Sequence, residues 1–313
     1  MPPVTFNTLI ARNKRNSVLL ILGFLVFFVI FGALIGEVWG GGDMGFRIGV
    51  PVAAAVIAFV LTLMSYYGGS SALLGISQAR EMKKQDDPQL FNVIEELAIA
   101  ASLPMPKIYM IESRAMNAFA TGRNPQHASV AITRGLREKL TREELQGVMA
   151  HELCHVRNYD ILYAMLMAVM VGTLVMLADV FLRSLWFGGA TRRSRQRSSK
   201  GSGGAQIILV LIALVLAILA PLLAKIIQLA LSRQREYLAD AASVDLTRNP
   251  QGLASALMKL GGDSQPLEVA NRATAPLYIM PPVMKNLGEK RSDIFSTHPD
   301  LKSRVERLLS LTK

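Results

Sequence analysis

Four long uncharged runs, separated by polar blocks, dominate the pattern of apolar and polar positions. Residues 17–35 hold no charge in 19 positions, 48–79 none in 32, 161–178 none in 18 and 207–224 none in 18. A membrane-crossing helix needs roughly 20 apolar residues, so the first two runs suffice by themselves. The third and fourth are shorter, but Lys225 can snorkel and let the apolar residues up to Leu231 extend the fourth. The last third of the second run is rich in Gly and Ser and is expected to leave the lipid. Gly32 and Gly36 form a small-xxx-small pair, which suits helix–helix packing or reflects only the general frequency of glycine in membrane helices. Between the runs the pattern is that of a folded domain. DDPQLFNVIEELAIAAS (86–102) opens on an Asp cap with Pro88 in the first turn and continues at helical spacing. PKIYMI (106–111) and ASVAIT (128–133) read as short strands, with NAFATG (117–122) as a third between them. TREE (141–144) is a capping box that starts a helix running on through HELCH (151–155). Residues 232–260 read as one or two helices, 281–290 as loop, and a short amphipathic helix follows His298-Pro299.

Composition changes this picture in three ways. Hydrophobic residues make up 51% of the 313, which is high for a soluble chain. The net charge of +11 gathers in clusters beside the apolar runs, where it suits anionic lipid and topology. No zinc ribbon and no basic stripe with interleaved aromatics accompanies it, so no nucleic-acid partner is expected. The single cysteine, Cys154, excludes an intramolecular disulfide and suits a reducing compartment. The first run is too long for a cleaved leader and no A-x-A site follows it, so it reads as a retained anchor.

The chemistry centres on HELCH. Four residues turn a helix through about 400°, so His151 and His155 leave nearly the same face, one turn apart. Both can reach one Zn2+ at about 2.0–2.1 Å. Glu152 is rotated by about 100° and sits beside the metal, placed to take a proton from a water the metal activates. A third protein ligand is needed. The histidine-rich continuation found in metzincins is absent, and VRNYDILY follows instead. A downstream carboxylate in SRQREYLADAA (232–242) fits: Glu236 as ligand, with Asp240 one turn on accepting the N–H of a ligand histidine. The same segment also reads as a solvated charged helix with Arg233 and Arg235 as partners. Topology favours the ligand reading. HELCH lies just before the third run and Glu236 five residues after the fourth, so an antiparallel hairpin returns the two half-sites to one face.

HELCH, SRQREYLADAAS and FSTHPDLKSR, with NAFATG upstream, resemble the HtpX family of bacterial membrane zinc metalloproteases, relatives of the CaaX prenyl endopeptidases among the gluzincins. The resemblance covers nearly the whole chain. It implies His151, His155 and Glu236 as zinc ligands, Glu152 as general base, and quality control of misfolded or damaged membrane proteins under stress. It also implies a catalytic domain facing the cytosol at the bacterial inner membrane. Asp300 stands where a second proline is expected after His298-Pro299, a departure in local geometry. The family's NAFATG segment lies near the cleft. Asn117, Ala118 and Phe119 are therefore candidate substrate or transition-state contacts on an edge strand, or else parts of an internal strand with Phe119 in the core. His298 is a candidate oxyanion donor, or simply a helix-start residue. Arg304 matches the family arginine, Cys154 faces away from the metal as a small filler, and His127 has no assigned role.

The expected architecture is thus an α-helical membrane protein of about four transmembrane helices with an α+β zincin-like catalytic domain. Residues 1–79 supply two helices and 80–160 the first catalytic part. Residues 161–231 form a transmembrane hairpin around a basic flexible loop (184–205), and 232–313 form the second catalytic part with the third ligand. The expected partners are protein or peptide substrates, above all membrane proteins, and the lipid bilayer. Arg12, Lys14 and Arg15 before the first helix favour a cytosolic N-terminus, whereas the four arginines and one lysine of the loop would then lie outside. A shallow hairpin that never fully crosses is the alternative. A prenyl-protein endopeptidase ranks lower, because four spans give little material for an enclosed chamber. A non-catalytic scaffold with a degenerate protease domain would be free to lose Glu152, which is present.

Overall fold

The computed structural model describes residues 6–39, 43–174, 233–271, 274–283 and 299–311. Two long helices come first, α1 (Phe6–Trp39) and α2 (Met44–Ile76). Both are long and apolar enough to cross a membrane. Val18, Leu22, Val26 and Ile30 of α1, and Val56, Phe59, Val60 and Leu63 of α2, are exposed as a lipid-facing surface would be. Helix α1 starts well before its apolar run, and those first polar turns bury Asn13 and Ser17 against the rest of the chain. Gly32 and Gly36 face α2: a Cβ on either would fall 2.7 Å from Ala54 Cβ or from the Phe46 carbonyl. The packing reading of that pair is therefore the right one.

The folded domain begins with β1 (Arg80–Glu81), α3 (Pro88–Ala100), β2 (Lys107–Ile111), β3 (Ala118–Gly122) and β4 (Ala128–Thr133). Asp87 caps α3 by accepting from Leu90 N–H, and Leu90, Val93, Ile94, Leu97 and Ala98 turn one stripe into the core. The sheet order is β1-β2-β4-β3, with β2 parallel to β4 and the other two pairs antiparallel. Strand β3 therefore ends the sheet although every one of its residues is buried. Phe119 lies in the core, yet β3 ends the sheet and is not an internal strand as that reading of NAFATG expected.

Helices α4 (Arg134–Lys139) and α5 (Arg142–Arg157) follow, the second opened by the expected Thr141–Glu144 capping box. Next is α6 (Asp160–Leu166), extended by a π-turn (Met167–Val171). The helix carrying HELCH does not run straight into the third apolar run. A turn at Asn158–Tyr159 separates them, with Tyr159 left-handed at φ +60°. The apolar stretch from Asp160 to Leu174 is buried for the most part, against α1 and α2. The rest of the third run, the 184–205 loop, the fourth run and His298 lie outside the described residues. The chain returns as α7 (Arg233–Thr247), α8 (Pro250–Gly262) and α9 (Leu301–Ser310). One core joins α3, α5, α8 and the sheet; a second joins α1, α2 and α6.

Candidate metal centre

Three helix positions converge beside β3. Helix α5 supplies His151, Glu152 and His155, and α7 supplies Glu236 and Asp240, all but His155 at most 4% exposed. The burial of Glu236 and Asp240 removes the reading of their segment as a solvated charged helix. His151 Nε2 and His155 Nε2 lie 3.1 Å apart. Glu236 Oε2 is 3.7 Å from the first and Oε1 3.6 Å from the second. Donor atoms of these three residues all lie within 4.8 Å of one another. Ligands about 2.0–2.1 Å from a tetrahedral ion sit about 3.3–3.4 Å apart, close to these separations.

The other nitrogen of each ring meets a carboxylate. His155 Nδ1 is 2.9 Å from Asp160 Oδ2. His151 Nδ1 is 2.9 Å from Asp240 Oδ1, off the line of a straight hydrogen bond. Such partners hold the Nδ1 protons and turn both Nε2 atoms inward, where a shared proton or a metal cation reconciles them. Asp240 is itself held by the fully buried Arg304, whose Nε and Nη2 donate at 2.9 and 2.7 Å. Arg304 Nη1 is also 3.7 Å from Glu236, and Arg235 Nη1 is 3.5 Å from Asp160. Four carboxylates thus stand against the guanidiniums of Arg235 and Arg304. The excess of negative charge is what a divalent ion would balance, so donor set and charge both fit a metal.

Burial pushes the Glu152 carboxyl above its usual range, with His151 and His155 pulling it back and the Ala120 N–H also favouring the charged form. Burial works against a charged His151, but Asp240 and Glu236 outweigh it and raise the imidazole to about 9. Cys154 packs on Ala239 and Ala242, and burial pushes its thiol up to about 12, so it is a filler and not a nucleophile. A narrow cleft opens over the site, lined by Ala120 of β3, Ile161 and Ala164 of α6, and residues 276–279. Asn117, Ala118 and Phe119 do not line it. The Asn117 side chain pairs with the Met280 backbone at 2.9 and 3.3 Å. The Ala118 carbonyl accepts from Ile279 N–H at 2.9 Å, and Phe119 packs edge-on to Tyr278. Asp160, Arg304 and Ala120 are the site neighbours that sequence reasoning left without a role in the site. Asp160 has a visible signal, a carboxylate five residues after His155, whereas nothing in the spacing points to Ala120.

An H-E-x-x-H helix completed by a buried carboxylate from a second helix defines a metallopeptidase. Residues 84–312 match peptidase family M48, and the chain belongs to that family. It is 42% identical over 303 residues to a "Protease HtpX homolog" of Listeria monocytogenes serotype 4a (strain HCC23), spanning 96% of this chain and 97% of the relative. The protein of the same description from Dictyoglomus turgidum is 42% identical over 310 residues, 98% and 95% of the two chains. Among solved structures, S. mikatae Ste24p aligns with TM-score 0.47 and 19% identity over 96% of this chain and 66% of that one. The chain is thus a membrane-bound, metal-dependent protease acting on peptide or protein substrates.

Proposed function

We propose that the metal is a single catalytic Zn2+ held by His151, His155 and Glu236, with Glu152 as general base and Asp240 orienting His151. One observation carries this reading: two imidazole Nε2 atoms and a carboxylate converge while both Nδ1 atoms face other carboxylates. Two nitrogen donors and one oxygen donor suit zinc. When bound, the ion supplies a Lewis acid for the scissile carbonyl and acidifies a water. The residues do the rest. Glu152, with its carboxyl raised by burial, takes the proton of the attacking water and passes it to the leaving amine. Ala120 brings β3 to the cleft, where an extended substrate can pair with the part of its outer edge beyond the Ala118 carbonyl, which Ile279 N–H already occupies. Asn117, Ala118 and Phe119 frame the cleft by holding residues 278–280 beside it. For His298, outside the described residues, the role proposed from the sequence is that of oxyanion donor.

The same reading makes the protein a multi-pass enzyme of the bacterial inner membrane with four spans, divided at residues 79, 160 and 231. Its catalytic parts face the cytosol, and its substrates are misfolded or damaged membrane proteins met under stress. The apolar helix beginning at Asp160, five residues past His155, supports placement of the site close to the bilayer.

Elemental analysis and casein-type cleavage on detergent-purified protein test the site. Glu152→Gln should keep its zinc while cleavage falls by about 10^2–10^4-fold. Glu236→Ala should lose zinc and cleavage together. Near-wild-type turnover in the first variant would remove the base, and full occupancy in the second would remove the ligand.

A further inference from the structure

The turn that closes α5 holds Tyr159 at φ +60°, a conformation a bulky residue keeps only where its surroundings impose it. Those surroundings come from the N-terminal membrane helix. Asn13 of α1, 2% exposed, donates through Nδ2 to the Asn158 carbonyl at 2.9 Å and to Asp160 Oδ1 at 2.6 Å. Lys14 Nζ lies 4.2 Å from the centre of the Tyr159 ring. The Ser17 hydroxyl donates to the Asn13 carbonyl at 2.9 Å and ties that turn of α1 down. The second oxygen of Asp160 faces His155 Nδ1 at 2.9 Å. A continuous chain of contacts therefore runs from the Asn13 amide through the Asp160 carboxylate to the His155 imidazole, across 142 residues of sequence.

The group on the far nitrogen of a ligand histidine sets its tautomer and ring angle, and losing such a group costs about 10–100-fold in metal affinity. Asp160 serves that purpose only while its carboxylate cannot rotate. Arg235 is 3.5 Å from Oδ1, beyond a short hydrogen bond, whereas Asn13 is at 2.6 Å on the same oxygen and also grips the backbone two residues earlier. A buried amide at this point of a membrane helix is costly unless its partners are fixed, and here both are. We propose that Asn13 is a positioning residue of the metal centre: α1 fixes the orientation of His155 through Asp160, so that metal retention depends on the docked membrane helix. This rests on His155 being a metal ligand.

The full chain in detergent, loaded with Co2+, tests the inference through its visible absorption and its rate of metal loss to a chelator. Asn13→Leu removes the donor at similar size; Asn13→Asp keeps the shape but sets an acceptor against Asp160, and it serves if the leucine variant does not fold. Either should release Co2+ about 10–100-fold faster and alter the absorption bands, while Arg12→Ala, exposed on the same helix, behaves as wild type. The metal-free variants should still unfold in one cooperative transition, at a somewhat lower temperature because two buried acceptors lose their donor, so metal release is compared on folded protein. In an Asp160→Asn background the Asn13 change should add nothing further, because the two act in series. Wild-type release and spectrum in a folded Asn13 variant, or effects that add in the double variant, would overturn the inference while leaving the ligand set standing. Failure of the wild-type protein to bind Co2+ would instead overturn the reading of His155, and the inference with it.

Discussion

At the scale of single residues, the site depends on how its buried carboxylates are partnered. Arg304 is fully buried and forks onto both oxygens of Asp240, which in turn faces His151. Removing one partner of a buried pair strands the other, at a cost of about 3–5 kcal/mol. Arg304→Met should therefore lower the thermal midpoint of the purified protein sharply. Arg304→Lys should not restore it, because an ammonium cannot make both bonds. A midpoint within a degree or two of wild type for either variant would contradict this role. HELCH, Glu236 and Asp240 were legible in the sequence because helical spacing itself carries the chemistry. Asn13 and Arg304 were not legible as neighbours of the site. Their partners lie 147 and 64 residues away, and only the folded chain brings them together.

Among elements, the caps and apolar stripes of α3 and α5 and the three longer strands could be read directly, since each is specified by residues within one turn or one strand. Strand β1, two residues long, has no periodicity to show. The break between α5 and α6 was hidden because Tyr159 occupies a conformation usually marked by glycine. The mutual placement of helices was equally hidden, and it turns on small residues. Gly147 of α5 lies so close to α8 that a Cβ would fall 2.6 Å from Leu253 N and 2.8 Å from its Cα, both backbone atoms. Gly252 answers it, with the Glu143 carbonyl 2.7 Å from where its own Cβ would stand. Gly147→Ala should push α8 away from the α5 helix and cost about 1–3 kcal/mol, seen as a lower denaturation midpoint. An unchanged midpoint would mean that the helix pair yields freely.

At the scale of the whole molecule, both ends of the α1–α2 hairpin meet the catalytic domain. Asn13 binds the turn after α5, and Ser77, just past α2, lies 3.3 Å from the Tyr278 hydroxyl. The basic residues Arg12, Lys14 and Arg15 therefore share a side with the proposed metal centre, and the proposal of a cytosolic catalytic domain can be tested from there. With Cys154→Ala as background, Ser194→Cys should react with an impermeant maleimide in intact cells and Ser264→Cys should not. The reverse pattern would place the catalytic domain outside and remove cytosolic quality control as its task. Gly32 and Gly36 bear on a different matter. Strips of small residues on membrane helices commonly serve as seams between separate molecules, but this one is already roofed by Ala54 and Phe46 of its own chain. A bulky residue there would be felt in how a solitary chain closes its hairpin, and any pairing of two copies must be sought on another face.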